Sequence, residues 1–182
     1  MPGIGARRTL ALIRTTAQLL SHPMPPRKTA DEWFAAYGES HQDDANELIH
    51  WICVPVIFFS VLGFCTALPV PERLLVAVPW FNWALLAIAL AGGFYFRLSP
   101  RLSAGLLCFM AICYWILALL VAYAPWPPGK ICLVLFVAAW IGQFIGHKIE
   151  GKRPSFFHDV LFLLIGPAWL MHFIYKKAGV RY

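Results

Sequence analysis

Polar positions are scarce along most of this chain and gather at the ends of four long apolar stretches, 51–68, 74–96, 103–124 and 131–145. A segment in hydrocarbon must satisfy its own backbone hydrogen bonds, and a helix needs roughly 20 residues to cross. The four stretches therefore predict transmembrane helices, the last extending through Gly146 and His147 into its polar flank. A fifth stretch, 156–175, is expected to be broken by the pair Gly166 and Pro167 and is predicted either to span or to enter the bilayer and return. The positive tail Lys176, Lys177 and Arg181 suits the second alternative, because it then stays on the side where the stretch began.

Composition fixes the class. Apolar residues make up 60% of the chain and charged residues 13%, against about 25% charged in soluble domains. The predicted fold is all-α, an integral membrane bundle of four transmembrane helices plus the fifth, re-entrant or spanning, segment. The formal charge of +6 sits mostly outside the apolar runs, where it meets anionic lipid headgroups; no nucleic-acid partner is indicated. Cys53, Cys65, Cys108, Cys113 and Cys132 lie inside apolar runs without a CxxC pair and read as small buried hydrophobes.

Lysine and arginine alternate between connections. Arg7, Arg8, Arg14, Arg27 and Lys28 precede the first stretch, Arg97 and Arg101 follow the second, and Lys148, Lys152 and Arg153 follow the fourth. The other two connections hold Arg73 and Lys130 alone. The bias puts the N-terminus and the second and fourth connections in the cytoplasm. Residues 1–28 read as a basic arm that is either disordered or, over 1–22, a short amphipathic surface helix, with Met24 as an alternative translation start to Met1. Residues 29–182 read as the membrane domain.

With that topology His41, His50, His147 and His158 return to one membrane face, and a re-entrant fifth segment brings His172 there too. A metal site at that face is the leading expectation. From Thr29 the chain turns helical, with Thr29 or Asp31 as cap, and a polar run, 40–50, leads into the first span. On one straight helix His41 and His50 point to opposite sides. Both reach one ion only if His41 precedes a helix start near Asp43 or Asp44, or if the two stand on separate helices. Asn46 and His50 share a face, as do Gln143, His147 and Glu150, spaced i, i+4 and i+7. Ligands are expected from His41, His50 and His147 first, then Glu150, then His172, with Asn46 as an orienting neighbour.

The pattern Tyr37, His41-x4-Asn46-x3-His50 and Pro55, followed by Gly146-His147-x2-Glu150 and Arg153-Pro154, resembles the 2-hydroxy fatty acid dioxygenase family over roughly residues 29–182. Cys53 and Ser155 depart from it where glycine and alanine are usual. The resemblance implies an Fe(2+)-dependent oxidoreductase that uses O2 to shorten a long-chain 2-hydroxy fatty acid by one carbon, an alpha-oxidation at the cytoplasmic membrane face. Imidazole and carboxylate ligands with open positions suit non-haem iron. His41, His50, His147 and Asn46 then carry the catalysis. Lys148, Lys152 or Arg153 would neutralise the substrate carboxylate.

Other classes fit less well. A membrane di-iron hydroxylase needs more histidines in HxxxH and HxxHH clusters, and a haem protein needs facing histidines within the bilayer. A transporter places ionisable groups at mid-membrane, whereas only Asn82 and Gln143 are strongly polar inside these stretches. Neither a GxSxG element nor a phosphate loop is present. The alternative is a non-catalytic lipid- or metal-binding membrane scaffold.

Overall fold

The computed structural model describes residues 28–154 and 161–182; the amphipathic helix expected over 1–22 and His158 lie outside them. The described residues form seven helices and no strand: α1 (Ala30–Gly38), α2 (Asp44–Ala67), α3 (Glu72–Ala77), α4 (Trp83–Leu98), α5 (Pro100–Tyr123), α6 (Pro128–Glu150) and α7 (Phe162–Lys177). Helices α2, α5 and α6 are long and apolar enough to cross a membrane, and α4 is a shorter apolar helix. Their outward faces are apolar as well. Ile52, Trp115 and Ile141 are each more than half exposed, which suits a lipid solvent and not water.

The predicted second span, 74–96, is not one helix. Pro79 lacks an N–H and falls in a turn closed by Phe81 N–H to the Val78 carbonyl, 2.9 Å, and Asn82 then caps a new start by accepting from Ala84 N–H. The apolar run is therefore divided between α3 and α4, and Asn82 is a cap rather than a polar residue within a span. The sixteen residues of α4 reach about 24 Å, short of the roughly 30 Å hydrocarbon core.

Helix α6 extends the predicted 131–145 in both directions. Pro127 and Pro128 open it, and Gly151, at φ 71°, closes it in the left-handed region, a conformation glycine adopts without strain. α2 and α6 pack antiparallel along their lengths, with Asn46 against Gly146, Cys53 against Gly142, Cys132 against Gly63 and Ala67 against Gly129. A Cβ on Gly142 would stand 2.7 Å from Cys53 Sγ. Close approach of this kind is how helices associate where no hydrophobic effect drives them together.

The Gly166-Pro167 pair does not break the fifth segment, since α7 runs through it. Nor does α7 thread the bundle. The Tyr95 hydroxyl, near the end of α4, donates to the Leu164 carbonyl at 3.0 Å. At the start of α5, the Tyr175 hydroxyl accepts from Gly105 N–H and donates to the Arg101 carbonyl, both 3.0 Å. Trp33 and Tyr37 of α1 meet Phe162, and Phe34 meets His172. Both ends of α7 thus touch the same end of the bundle, and the helix lies across it beside α1. This is the end that carries the richer share of positive charge.

Replacing Gly63 by valine would force a branched side chain onto Cys132 and Leu117. Overpacking typically costs about 1–3 kcal/mol. The expected outcome is a lower thermal midpoint in detergent, read by fluorescence, with Gly93→Val, which has nothing within 4 Å, as the near-neutral control.

Candidate metal centre

Three segments deliver one histidine each. Thr29 caps α1 through a capping box with Glu32, and the loop after Gly38 is short enough to turn His41 back beneath α1. Asp43 then caps α2, its side chain accepting from Ala45 and Asn46 N–H. His41 therefore precedes the helix start, one of the two arrangements its spacing from His50 demands. His50 follows from the first turns of α2, and His147 from the last turn of α6.

All three rings are buried, at 4%, 1% and 4% exposure, and each meets the other two. The His41 centroid lies 4.2 Å from His50 and 5.0 Å from His147, and the His50 and His147 centroids are 4.9 Å apart, all edge to face. One nitrogen from each lies within 4.8 Å of the others, a spacing that a single ion closes by side-chain adjustment alone.

The hydrogen bonds set the tautomers. His41 Nδ1 lies 2.6 Å from the Tyr37 carbonyl and His50 Nδ1 2.8 Å from the Asn46 carbonyl. A carbonyl only accepts, so both Nδ1 atoms carry the proton and both Nε2 atoms present a lone pair. His41 Nε2, His50 Nε2 and His147 Nδ1 are buried without hydrogen-bond partners. Three unsatisfied imidazole nitrogens on three rings in mutual contact, in an apolar setting, are costly for the fold alone, and a metal ion is what they fit. Burial holds His41 below the ordinary histidine range against the opposing Tyr37 carbonyl and Glu150 charge, which favours the neutral ring that a metal requires.

Surrounding groups hold the rings in place. Tyr37 stacks on His41 at 4.2 Å and 12°, and Trp169 of α7 lies 5.4 Å from it. Asn46, fully buried, donates from Nδ2 to the Ser40 carbonyl at 3.1 Å and to Glu150 at 3.3 Å. It thereby ties the His41 loop to the end of α6. A Cβ on Gly146 would collide with the Asn46 amide oxygen, so the glycine beside His147 makes room for the asparagine.

Glu150 stands apart from the converging nitrogens. Its carboxylate accepts from Gln42 N–H at 3.0 and 3.1 Å and from Asp43 N–H at 2.7 Å, an anion seated at the N-terminus of α2. Lys152 reinforces this clamp by donating to the Glu39 carbonyl. His172 is also outside the cluster, with Nδ1 paired to the Tyr182 hydroxyl and the ring 5.2 Å from Phe34. Lys148 and Arg153 are exposed.

Behind the histidines lies a cavity of about 390 Å³, walled by Val54, Ile57, Phe58 and Val61 of α2, Phe136, Trp140 and Gln143 of α6, and Leu161 to Leu164. From His50 to Val61 it runs roughly 16 Å along α2. Periodicity did not reveal this groove, because its walls are ordinary aliphatic and aromatic residues.

The family model for 2-hydroxy-palmitic acid dioxygenase Mpo1-like proteins matches residues 27–99 and 103–178. The chain belongs to the Mpo1-like family. No curated protein and no solved structure matches it. The Mpo1-like match includes all three clustered histidines, Asn46 and Glu150, as well as α7, which covers the site.

Two outcomes are expected. In anaerobic titrations with Co(II) as a spectroscopic probe, His50→Ala abolishes stoichiometric binding. Glu150→Gln retains it with affinity lowered about tenfold to a hundredfold, the usual consequence of disturbing a ligand's support; equal abolition by both would make Glu150 a ligand. The second concerns pH. His41 is held below its unfolded value of 6.5, so the unfolded chain binds more protons as pH falls through that value, and stability rises with pH there. The thermal midpoint of metal-free protein should drop on acidification below about 6.5, and His41→Gln should flatten the dependence.

Proposed function

We propose that this protein is an Fe(2+)-dependent dioxygenase that removes one carbon from a long-chain 2-hydroxy fatty acid, with its site at the cytoplasmic face of the membrane. The observation that carries the reading is the meeting of three partnerless imidazole nitrogens with the mouth of an apolar cavity. Such a cavity suits an alkyl chain, and such nitrogens suit a metal. The family name supplies the substrate class, and the placement of Arg97, Arg101, Lys148 and Lys152 at the same end supports the cytoplasmic side.

The reaction balances with one molecule of O2. The C1–C2 bond breaks, C2 rises from alcohol to carboxyl, C1 leaves as CO2, and the electrons released reduce O2 to water, giving the acid one carbon shorter. Iron held by His41, His50 and His147 would supply oxygen binding and chelation of the carboxylate and 2-hydroxyl, with imidazoles leaving positions open for both.

The chain's own residues do the rest. Val54, Ile57, Phe58 and Val61 hold the alkyl chain and exclude water. The exposed Leu161 and Leu163 at the rim admit substrate sideways from the bilayer. Tyr37, stacked on His41, and Trp169 close the site from above. The Tyr37 and Asn46 carbonyls fix two ligand rings in the tautomer that directs Nε2 inward, and the Glu150 clamp holds the loop that carries His41.

The test is turnover by detergent-purified, iron-loaded protein given 2-hydroxypalmitate labelled at C1. Oxygen uptake with matching release of labelled CO2 is expected, and loss of both in His147→Ala. An iron-loaded wild type that consumes no oxygen with 2-hydroxy acids of any length would contradict the reading and favour a lipid-binding scaffold.

A further inference from the structure

Gln143 stands one helical turn inward of His147 on α6, 6% exposed, with its side-chain Nε2 buried and without a hydrogen-bond partner. It lines the same cavity as the three histidines. Beyond that point the walls turn apolar, with Val54, Ile57, Phe58 and Val61 facing Phe136. An amide donor left unsatisfied in an apolar, membrane-embedded wall opposes folding. A leucine would serve packing better. The group therefore has a use that protein contacts do not supply, and the cavity it faces is where a ligand would supply it.

We propose that Gln143 is a specificity-determining residue that recognises the 2-hydroxyl of the substrate. This rests on the dioxygenase reading. An amide carries both a donor and an acceptor. A 2-hydroxy acid held with its oxygens toward the histidines and its alkyl chain along the groove places a hydroxyl, itself donor and acceptor, beside its carboxylate. An unsubstituted fatty acid fills the same groove and leaves the hydroxyl's share of that hydrogen bonding unmade. Sites built to bond a substrate hydroxyl reject analogues that lack it, because the buried polar group is then left unpaired. Gln143 thus separates 2-hydroxy acids from the much more abundant class of plain fatty acids that the bilayer offers to the same opening. It also fixes which face of C2 is turned to the histidines, since it reaches in from one wall only.

Anaerobic displacement of a fluorescent fatty acid by 2-hydroxypalmitate and by palmitate tests this. Iron-loaded wild type would be compared with Gln143→Leu and with the less perturbing Gln143→Met, alongside metal content and thermal midpoint. Wild type should prefer the 2-hydroxy acid. Both variants should bind palmitate as wild type does, keep their iron, melt no lower, and lose preference by about twofold to tenfold, the worth of one hydrogen bond between neutral groups. Variants that keep the preference would overturn the proposal and leave the dioxygenase reading standing. So would variants that melt lower and weaken both ligands alike, which would make Gln143 a structural cross-link. A wild type that does not distinguish the two acids would overturn both.

Discussion

Helices α2 and α6 approach more closely than side chains usually allow, and the site depends on that approach. Asn46 lies against Gly146, and Cys53 against Gly142, at the level of the histidines. Without glycine at those positions the two helices would stand apart, and His50 and His147 would no longer face each other across one ion's width. In hydrocarbon, where lipid solvates apolar side chains as well as a neighbouring helix does, such close packing is a main source of helix association. The same contact that holds the bundle together therefore sets the spacing of two of the three imidazoles.

The third imidazole comes from a loop, and the loop is made rigid by the ends of the same two helices. Glu150, closing α6, accepts from the backbone of Gln42 and Asp43, and Asn46, opening α2, donates to the Ser40 carbonyl. His41 sits between these anchors, stacked on Tyr37. Helix α7 then covers the arrangement, with Trp169 against His41. A polar cluster in an apolar bundle is stable when every member is satisfied; here one nitrogen of each clustered histidine is left unpaired, as are the Asn46 amide oxygen and Gln143 Nε2 beside them.

Much of this was legible in the chain. Apolar stretch length gave α2, α5 and α6, and the half-turn mismatch between His41 and His50 required a helix start between them, which Asp43 provides. Two features misled. The run 74–96 has the hydropathy of a span, but Pro79 and Asn82 divide it, and local breakers outweigh mean hydropathy there. Gly166-Pro167 resembles a break, yet α7 passes through because its neighbours α1, α2 and α5 support it. The spacing of Glu150 from His147 fits a ligand and a cap equally; the structure seats its carboxylate on the N-terminus of α2, a neighbour that no local pattern encodes. The groove was invisible for the same reason, since residues from α2, α6 and α7 enclose it together.

X-ray absorption at the iron edge, on detergent-purified protein loaded anaerobically, tests the account most directly. A first shell with imidazole nitrogen and the outer-shell scattering of three histidine rings is expected. An iron shell of oxygen alone, or one unchanged when His41 is replaced by alanine, would contradict it.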